Sequence, residues 1–410
     1  MEPQRDKYGR FVPTGTDGPD VPDFVDVDDL GGSGSAKLTL SNEHSELTHD
    51  EILRLMGLSV AEWEIAGVNR RKTYMADGRV SRSLSVRVKR RDIPLASGAI
   101  DMDEVRELLD AWVFEPPNPP KRPGQAPSNT FVLAFADWQI GGAVPGTPEV
   151  PGRGTKDTVE RIKGAIDAAV VRVHELRSLG RNIPFLAIPS LGDLVESCQG
   201  FYGSQLFTVD MNDRDQLRTG WALVLYALRK LAPLFERVDI YPVGGNHGEN
   251  NRVRGRQQTT PDDNRDLLVF DVVDTTVQES HHLSNVTVHM PRNPLYAVHE
   301  LSGVNLAITH GHLFNGGANA AAKAERWWKN QAFGQNSNLD SANILLSGHF
   351  HSFAAATFTE EGRVWLQCPA EDNGSQWFTD MSGLSSPPGM LSFVVGPAYG
   401  AMRYGDLQIL

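Results

Sequence analysis

Two cysteines in 410 residues are too few for a disulfide framework, which indicates a protein of a reducing compartment. No apolar run reaches about 18 residues, the length of a membrane span, and the N-terminus lacks the apolar segment of a secretory signal. Basic residues number 39 against 51 acidic ones, and the net charge of -12 excludes a simple polycation for nucleic acid. These absences predict a cytoplasmic protein without a membrane partner.

Composition divides the chain into four segments. Residues 1–44 are rich in Gly, Pro, Asp and Ser and poor in apolar side chains, so we expect a disordered tail. Residues 45–92 predict a small basic domain, and residues 93–129 predict a short helix followed by a semi-rigid, Pro-rich linker. Residues 130–410 predict one large domain.

The small basic domain has the pattern of two short helices and a β-hairpin, the outline of a winged helix-turn-helix. Capping boxes at Thr48 and Ser59 predict the helix starts, and Asp77-Gly78 predicts the hairpin turn. We expect its cations to contact nucleic-acid phosphates, namely Arg70, Arg71, Lys72, Arg87, Lys89, Arg90 and Arg91. The alternative is a solvated face whose charge discourages aggregation of the hairpin edge.

Buried apolar strands alternate with amphipathic helices from Thr130 onward, which predicts an α/β layered domain. Five of these strands end in side chains that can bind metals. In chain order these are Asp137 and Gln139; Asp193 and Glu196; Asn246, His247 and Glu249; His310 and His312; His349 and His351. Because ligands gather at the carboxyl ends of strands in an α/β sheet, we expect these side chains to lie close together.

The set contains enough ligands for two adjacent metal sites. A carboxylate that bridges two divalent cations about 3.5–4 Å apart lets both activate one water molecule and clamp a phosphate. Mixed carboxylate, amide and imidazole ligands favour Mn²⁺, Fe²⁺ or Zn²⁺ over Mg²⁺. We therefore expect two divalent cations as cofactors, with Mn²⁺ as the first choice and Fe²⁺, Zn²⁺ or Mg²⁺ as alternatives.

The order and spacing of the five blocks resemble the calcineurin-like metallophosphoesterases over roughly residues 130–355. That family has Asp-x-His, Gly-Asp, Gly-Asn-His, a lone His and Gly-His-x-His, each after a strand. The resemblance implies a four-layer α/β/β/α sandwich and a metal-dependent phosphoesterase. It further implies that Asp193 bridges the cations, that Asp137, Gln139 and His351 complete one site, and that Asn246, His310 and His349 complete the other.

The resemblance gives His247 the catalytic role of stabilising the phosphate or protonating the leaving oxygen. His312, Glu249 and Glu196 are then supporting or substrate-facing groups. Two positions depart from the family pattern. Gln139 stands where the family has His, and an amide oxygen is a weaker ligand than an imidazole. Gly248 separates His247 from Glu249, which places the supporting carboxylate one position later than usual.

The layout of the whole chain, including Ser375-Gln-Trp-Phe and Ser386-Pro-Pro-Gly near its end, resembles the repair-exonuclease-type phosphoesterases of actinobacterial phages. The catalytic blocks of those proteins are similar to the ones of the bacterial SbcD-type nucleases. This resemblance implies a DNA exonuclease or endonuclease in phage DNA processing or recombination, in the cytoplasm of the bacterial host. DNA is the expected partner, and an ATPase or recombination partner is left open. The alternatives are a phosphatase or phosphodiesterase for nucleotides or other small molecules, and a non-catalytic DNA-binding subunit.

Overall fold

The computed structural model divides the chain into two units, Met1–Leu95 and Ala96–Leu410. The residues that it describes are 22–28, 33–40, 47–56, 58, 60, 63–74, 80–90, 128–144, 152–198, 205, 208–250, 252–253, 256–257, 259–334, 337–359, 362–372 and 386–410. The predicted helix at 101–114 and the Pro-rich linker lie outside these residues. Among the helices in these ranges, none combines the length and the apolar character that crossing a membrane requires.

The described part of the first unit contains one helix and a four-stranded antiparallel sheet. The elements are β1 (Pro22–Asp28), β2 (Ser33–Leu40), α1 (His49–Leu55), β3 (Trp63–Tyr74) and β4 (Val80–Arg90). The strand order is β1-β2-β4-β3. Thr48 and Glu51 close a capping box at the start of α1. The apolar side chains of Leu84, Val86 and Val88 form a small core with Ile52 and Leu53 of the helix.

Two expectations for this unit are wrong. Strands β1 and β2 lie within the segment predicted to be a disordered tail. Residues 35–40 alternate between apolar and polar side chains, and this pattern allows them to add a strand to the sheet despite the polar composition around them. A strand, not a second helix, begins at Trp63, because Ile65 and Val68 contact the α1 core from an extended chain. The winged-helix outline is therefore not confirmed. The expected hairpin is present, with Tyr74 paired to Val80, although Asp77 and Gly78 lie outside the described residues.

The second unit is a mixed α/β domain, as predicted, and it contains two large sheets. The first sheet has the order β10-β7-β6-β5-β16-β17 and the second has the order β11-β12-β13-β15-β14. Their strands are β5 (Thr130–Leu133), β6 (Phe185–Ser190), β7 (Arg237–Pro242), β10 (Val286–Val288), β11 (Tyr296–Leu301), β12 (Val304–Thr309), β13 (Ile344–Ser347), β14 (Ala354–Thr357), β15 (Val364–Gln367), β16 (Leu391–Val395) and β17 (Tyr404–Ile409). A separate short pair is formed by β8 (Arg252–Val253) and β9 (Arg256–Gln257).

Helices cover the sheets. They are α2 (Thr155–Ser178), α3 (Asp213–Leu231), α4 (Arg265–Glu279) and α5 (Ala320–Phe333). Short 3₁₀ helices span Ala232–Leu234, His281–Leu283, Ser337–Ser341 and Pro397–Met402. Helix α3 ends at Leu231, because Pro233 lacks the N–H that would continue the helix.

Three apolar cores hold the second unit together. One joins the first sheet to α2, α3 and α4, and another contains residues of both sheets, such as Phe393 and Ile308. A third joins the second sheet to α5 through Trp327 and Trp328, whose side chains are 7% and 3% exposed. These tryptophans therefore pack in the core.

Candidate metal centre

Parallel strand pairing brings the polar strand ends of each sheet to one edge. Strands β5, β6 and β7 run parallel in the first sheet, and β12 and β13 run parallel in the second. Asp137, Asp193 and Asn246 follow the first three strands, while His310 and His349 follow the other two. The carboxyl ends of parallel strands lie at the same edge. Contacts between the loops then join the two sets into one cluster.

Five of the expected ligands have a left-handed backbone. The φ angles are 50° at Asp137, 43° at Gln139, 54° at Asp193, 74° at His349 and 54° at His351. This conformation is costly for residues with a Cβ, by about 1–3 kcal/mol each, and such residues concentrate at functional sites. The surrounding packing therefore holds these side chains in orientations that ordinary strand or helix geometry would not give.

Asp193 lies at the centre of one half of the cluster. Its Oδ2 is 3.0 Å from His310 Nε2, which is also 2.9 Å from Asn246 Oδ1. The other ring nitrogen, Nδ1–H of His310, donates to the Leu191 carbonyl at 2.8 Å. The His349 ring centroid is 5.0 Å from that of His310. The Leu191 bond directs His310 Nε2 towards the Asp193 carboxylate, which is the orientation a metal-binding imidazole needs.

Asp137, Gln139 and His351 form the other half. His351 Nε2 lies 3.5 Å from Asp137 Oδ1 and 3.3 Å from Gln139 Nε2. Rotating the Gln139 amide by 180° exchanges this nitrogen for the oxygen that a cation would require. Asp137 also accepts the His349 backbone N–H at 3.0–3.1 Å, which connects the two halves.

The residues present fit a cation. Asp193 Oδ2 is buried and accepts no well-directed hydrogen bond from the described residues, in spite of its short distance to His310. One ligand atom each from Asp193, His310 and His349 lie within 4.8 Å of one another. A buried carboxylate oxygen without a donor, facing imidazoles, is a costly arrangement that a divalent cation would stabilise. The halves around Asp193 and Asp137 would hold one cation each.

The surroundings of the proposed ligands shift their pKa values in different directions. Burial raises the pKa of Asp137 to about 6. Burial also acts to raise the pKa of Asp193, but His310 and His247 outweigh it and hold that pKa below its usual value. For His351, burial acts to lower the pKa, while Asp372 outweighs it and the pKa rises to about 9. A cation bound at Nε2 of His351 would therefore displace a proton.

His247 stands beside the cluster and contacts it through its backbone. Its N–H donates to Asp193 Oδ1 at 2.7 Å, and its Nδ1 lies 3.2 Å from both the carbonyl oxygen and Oε2 of Glu196. Burial acts to lower its pKa, but Glu196 and then Asp193 outweigh this and raise it to about 10. The raised pKa favours the protonated form of the His247 ring next to Glu196.

Glu196 is the carboxylate that contacts His247 Nδ1, whereas the sequence analysis expected Glu249 to support that ring. Glu196 is buried, and Gln205 Nε2 donates to its Oε1 at 3.2 Å. Glu249 lies elsewhere, with Oε1 4.0 Å from His312 Nε2. The His312 ring centroid is 5.3 Å from that of His310. Glu249 and His312 therefore flank the His310 side of the cluster.

Two carboxylates that the sequence analysis missed support the centre. Asp266, at the start of α4, is fully buried and accepts the backbone N–H groups of Asp193, Leu194 and Gly245 at 2.9 Å each. It therefore fixes two ligand loops at once. Asp372 accepts from His351 Nδ1 at 2.9 Å. The available signal for Asp266 was its place two residues after the helix N-cap Asn264, whose side chain accepts the Asp266 N–H.

Gly245→Ala is expected to disrupt the centre, because the added Cβ would overlap Oδ1 and the backbone nitrogen of Asp193. We expect a loss of about 1–3 kcal/mol in the free energy of unfolding, together with weaker Mn²⁺ binding. Urea unfolding and Mn²⁺ titration measure the two effects. Gly164→Ala is the matched control: nothing lies within 4 Å of its new Cβ, and a gain of about 0.5–1 kcal/mol is expected. Normal stability and Mn²⁺ binding in Gly245→Ala would contradict this packing.

Comparison with known proteins gives remote structural likeness. No protein-family profile matches the chain, and no curated protein matches it. Vacuolar Protein Sorting 29 from Cryptosporidium parvum is 16% identical, with 65% of this chain and 86% of that one covered and a TM-score of 0.28. A dimetal phosphatase from Danio rerio is 12% identical, with 65% of this chain and 93% of that one covered and a TM-score of 0.31. The phosphopantetheinyl hydrolase of Mycobacterium tuberculosis is 12% identical, with 64% of this chain and 95% of that one covered and a TM-score of 0.25. At these identities and TM-scores the likenesses carry no inference about activity.

Six of the seven cations expected to contact phosphates lie on β3 and β4, and the seventh, Arg91, lies outside the described residues. Arg70 and Arg87 are exposed. The alternate positions of β4, at Leu84, Val86 and Val88, are buried against α1. Since successive strand residues face opposite sides, Arg87 lies on the sheet face away from α1.

Proposed function

We propose that the chain is a dimetal-dependent phosphodiester hydrolase of the calcineurin-like type. The observation that carries the proposal is the buried cluster of Asp193, His310 and His349, with the cationic His247 next to it. The same proposal includes the four-layer α/β/β/α arrangement, supported by the cores on both sides of each sheet and by the core that both sheets share.

Each ligand has a proposed place. Asp193 would bridge the two cations, Asn246, His310 and His349 would complete one site, and Asp137, Gln139 and His351 the other. Two bound divalent cations supply an activated water and neutralise charge on the phosphate oxygens. Mn²⁺ is the proposed metal, because amide and carboxylate oxygens are combined with imidazoles.

His247 would protonate the leaving oxygen. The Glu196 pair keeps the imidazole charged at neutral pH and orients the ring through Nδ1. Nε2–H then faces away from Glu196 and can donate to the leaving oxygen as the P–O bond breaks. The side chains of His247 and Glu196 are 11% and 3% exposed, and this low exposure to water strengthens the ion pair between them.

DNA is the proposed substrate, as in a nuclease for phage DNA processing. The exposed Arg70 and Arg87 and the basic sequence of β3 and β4 support it, because phosphate contacts supply most non-specific DNA affinity. A phosphatase or phosphodiesterase for small nucleotides is an equal candidate, favoured by the net charge of -12, which would repel a long polyanion.

A substrate panel tests the proposal. Full-length protein with Mn²⁺ would be given single-stranded DNA, end-defined duplex DNA, cyclic nucleotides and bis(p-nitrophenyl) phosphate. Degradation of DNA supports the nuclease, and turnover of the small diesters alone would sink it in favour of the small-molecule enzyme. DNA binding without any turnover would instead support the non-catalytic subunit. Arg87→Ala should weaken DNA binding and reduce its salt dependence, and unchanged binding would exclude this face.

Glu196→Gln is expected to move the alkaline limb of the pH–rate profile to lower pH. Activity needs protonated His247, so the rate is constant below the pKa of that residue and falls above it. Removing the Glu196 charge removes the largest contribution that raises this pKa and leaves Asp193 and the Glu196 carbonyl to oppose the lowering by burial, so we expect a shift of more than about one pH unit. The profile of kcat from pH 6 to 10, on one substrate, measures it. An unmoved alkaline limb would mean that another group supplies the proton.

A further inference from the structure

The Asp137 half of the cluster has one proposed imidazole ligand, His351, whereas the Asp193 half has two, His310 and His349. Gln139 offers a neutral amide to the cation site that it shares with Asp137 and His351. An amide oxygen gives less electron density to a transition metal than an imidazole does. Among the described residues His351 is the only imidazole on this side, and the properties of that ring decide how firmly a cation is held.

A carboxylate lies directly behind that imidazole. Asp372 Oδ2 accepts the Nδ1 proton of His351 at 2.9 Å, which leaves Nε2 facing Asp137 and Gln139. Such a contact fixes the ring orientation and the tautomer, and the negative charge makes the imidazole a better donor to a metal. In the described residues His310, by comparison, has only the Leu191 carbonyl at the equivalent nitrogen.

Arg161 holds the segment that carries Asp372. From α2, its guanidinium donates to the Glu371 carbonyl at 2.8 Å and to the Asp372 carbonyl at 3.0 Å. On its other side the segment is tied to the centre, because the Glu371 N–H donates to the Asp137 carbonyl at 3.1 Å. The position of Asp372 behind His351 is therefore fixed from both directions.

We propose that Asp372 is a positioning residue that strengthens the Asp137-side cation site and compensates there for Gln139, with Arg161 holding it in place. This inference rests on the proposed dimetal function, which it deepens. It concerns metal affinity at one of two sites, so it is measurable without any substrate.

A double-mutant cycle tests the compensation. Metal-free, full-length protein would be titrated with Mn²⁺ by calorimetry and by electron paramagnetic resonance, which count the sites and give each affinity. Asp372→Asn is expected to weaken one of the two sites about 10- to 100-fold and to leave the other unchanged. Gln139→His is expected to tighten the same site. In the Gln139→His background, Asp372→Asn should cost less than it does alone, which a purely structural role would not produce.

Asp239→Asn is the matched control, because Asp239 also contacts a histidine, with His289 Nε2 at 2.8 Å, yet is not part of the cluster. It should leave both Mn²⁺ affinities unchanged. If Asp372→Asn fails to fold, Arg161→Lys provides the second variant, since lysine keeps the charge but loses the forked donation. It should weaken the same site by a smaller factor.

Three results would overturn the inference: unchanged Mn²⁺ binding in Asp372→Asn or in Arg161→Lys, equal weakening of both sites, or additive effects in the cycle. Failure of the proposed function gives a different result. A protein that binds two Mn²⁺ ions with the expected cycle but hydrolyses none of the panel would retain this inference and lose the function. A protein that binds no Mn²⁺ would overturn both.

Discussion

Replacing Asp193 with asparagine is expected to lower kcat/KM by about 10³-fold or more, because several kcal/mol of charge stabilisation depend on the bridged cations. The side chain is buried, its Oδ2 faces His310, and its Oδ1 accepts the His247 N–H. An amide has nearly the same shape but only one oxygen and no charge. Steady-state kinetics on the best substrate and Mn²⁺ stoichiometry measure the result.

Asp271→Asn is the control for Asp193→Asn, because Asp271 is an exposed acid on α4. It should leave rate and Mn²⁺ stoichiometry unchanged. The Asp193 variant should lose at least one bound Mn²⁺ as well as activity. Full activity with both ions retained would rule out Asp193 as the bridging ligand and would require another carboxylate in that role.

His247→Ala is expected to lower kcat about 10²- to 10⁴-fold on substrates with poor leaving groups, the range of general acid catalysis. The imidazole contributes a proton, so its loss should matter most for an alkoxide leaving group, as in a dinucleotide. A p-nitrophenolate departs without protonation, and bis(p-nitrophenyl) phosphate should therefore lose far less. Comparing kcat for these two substrates measures the difference.

Mn²⁺ binding by His247→Ala should be unchanged, since the His247 ring is not among the proposed ligands. His281→Ala, in an exposed 3₁₀ turn, is the matched control and should behave as the unchanged protein. An equal loss of kcat on both substrates would contradict the proton-donor role and would assign His247 to phosphate binding.

The α/β unit and the convergence of its strand-end side chains could be predicted because the signals are local. An apolar run followed by Asp193 or by Asn246 and His247 is visible in a few consecutive residues, and sheet geometry then brings such ends together. Asp266 and Asp372 have no such signal. Each acts on groups far away in the chain, and only the packed structure shows which amide or imidazole it faces.

The first unit shows the opposite error. The Gly-rich composition of residues 1–44 predicts disorder, whereas the alternation of apolar and polar residues in β2 predicts a strand. That strand is paired on both sides, with β1 and with β4. The capping-box pattern near Ser59 was likewise misleading, because a box needs apolar residues at helical spacing after it. Ile65 and Val68 instead contact the α1 core from a strand. Strand pairing in the folded sheet therefore overrides the local preference of this segment for a helix.

The left-handed backbone at five proposed ligands affects which substitutions would stabilise the fold at these positions. Glycine would relax each of these positions, and each relaxation would increase stability if metal binding were no longer selected. In a protein that no longer bound metal, replacing Asp137, Gln139 or His351 with glycine would therefore relieve backbone strain. Side chains at these angles therefore cost stability, and the binding of a cation is the gain that would offset this cost.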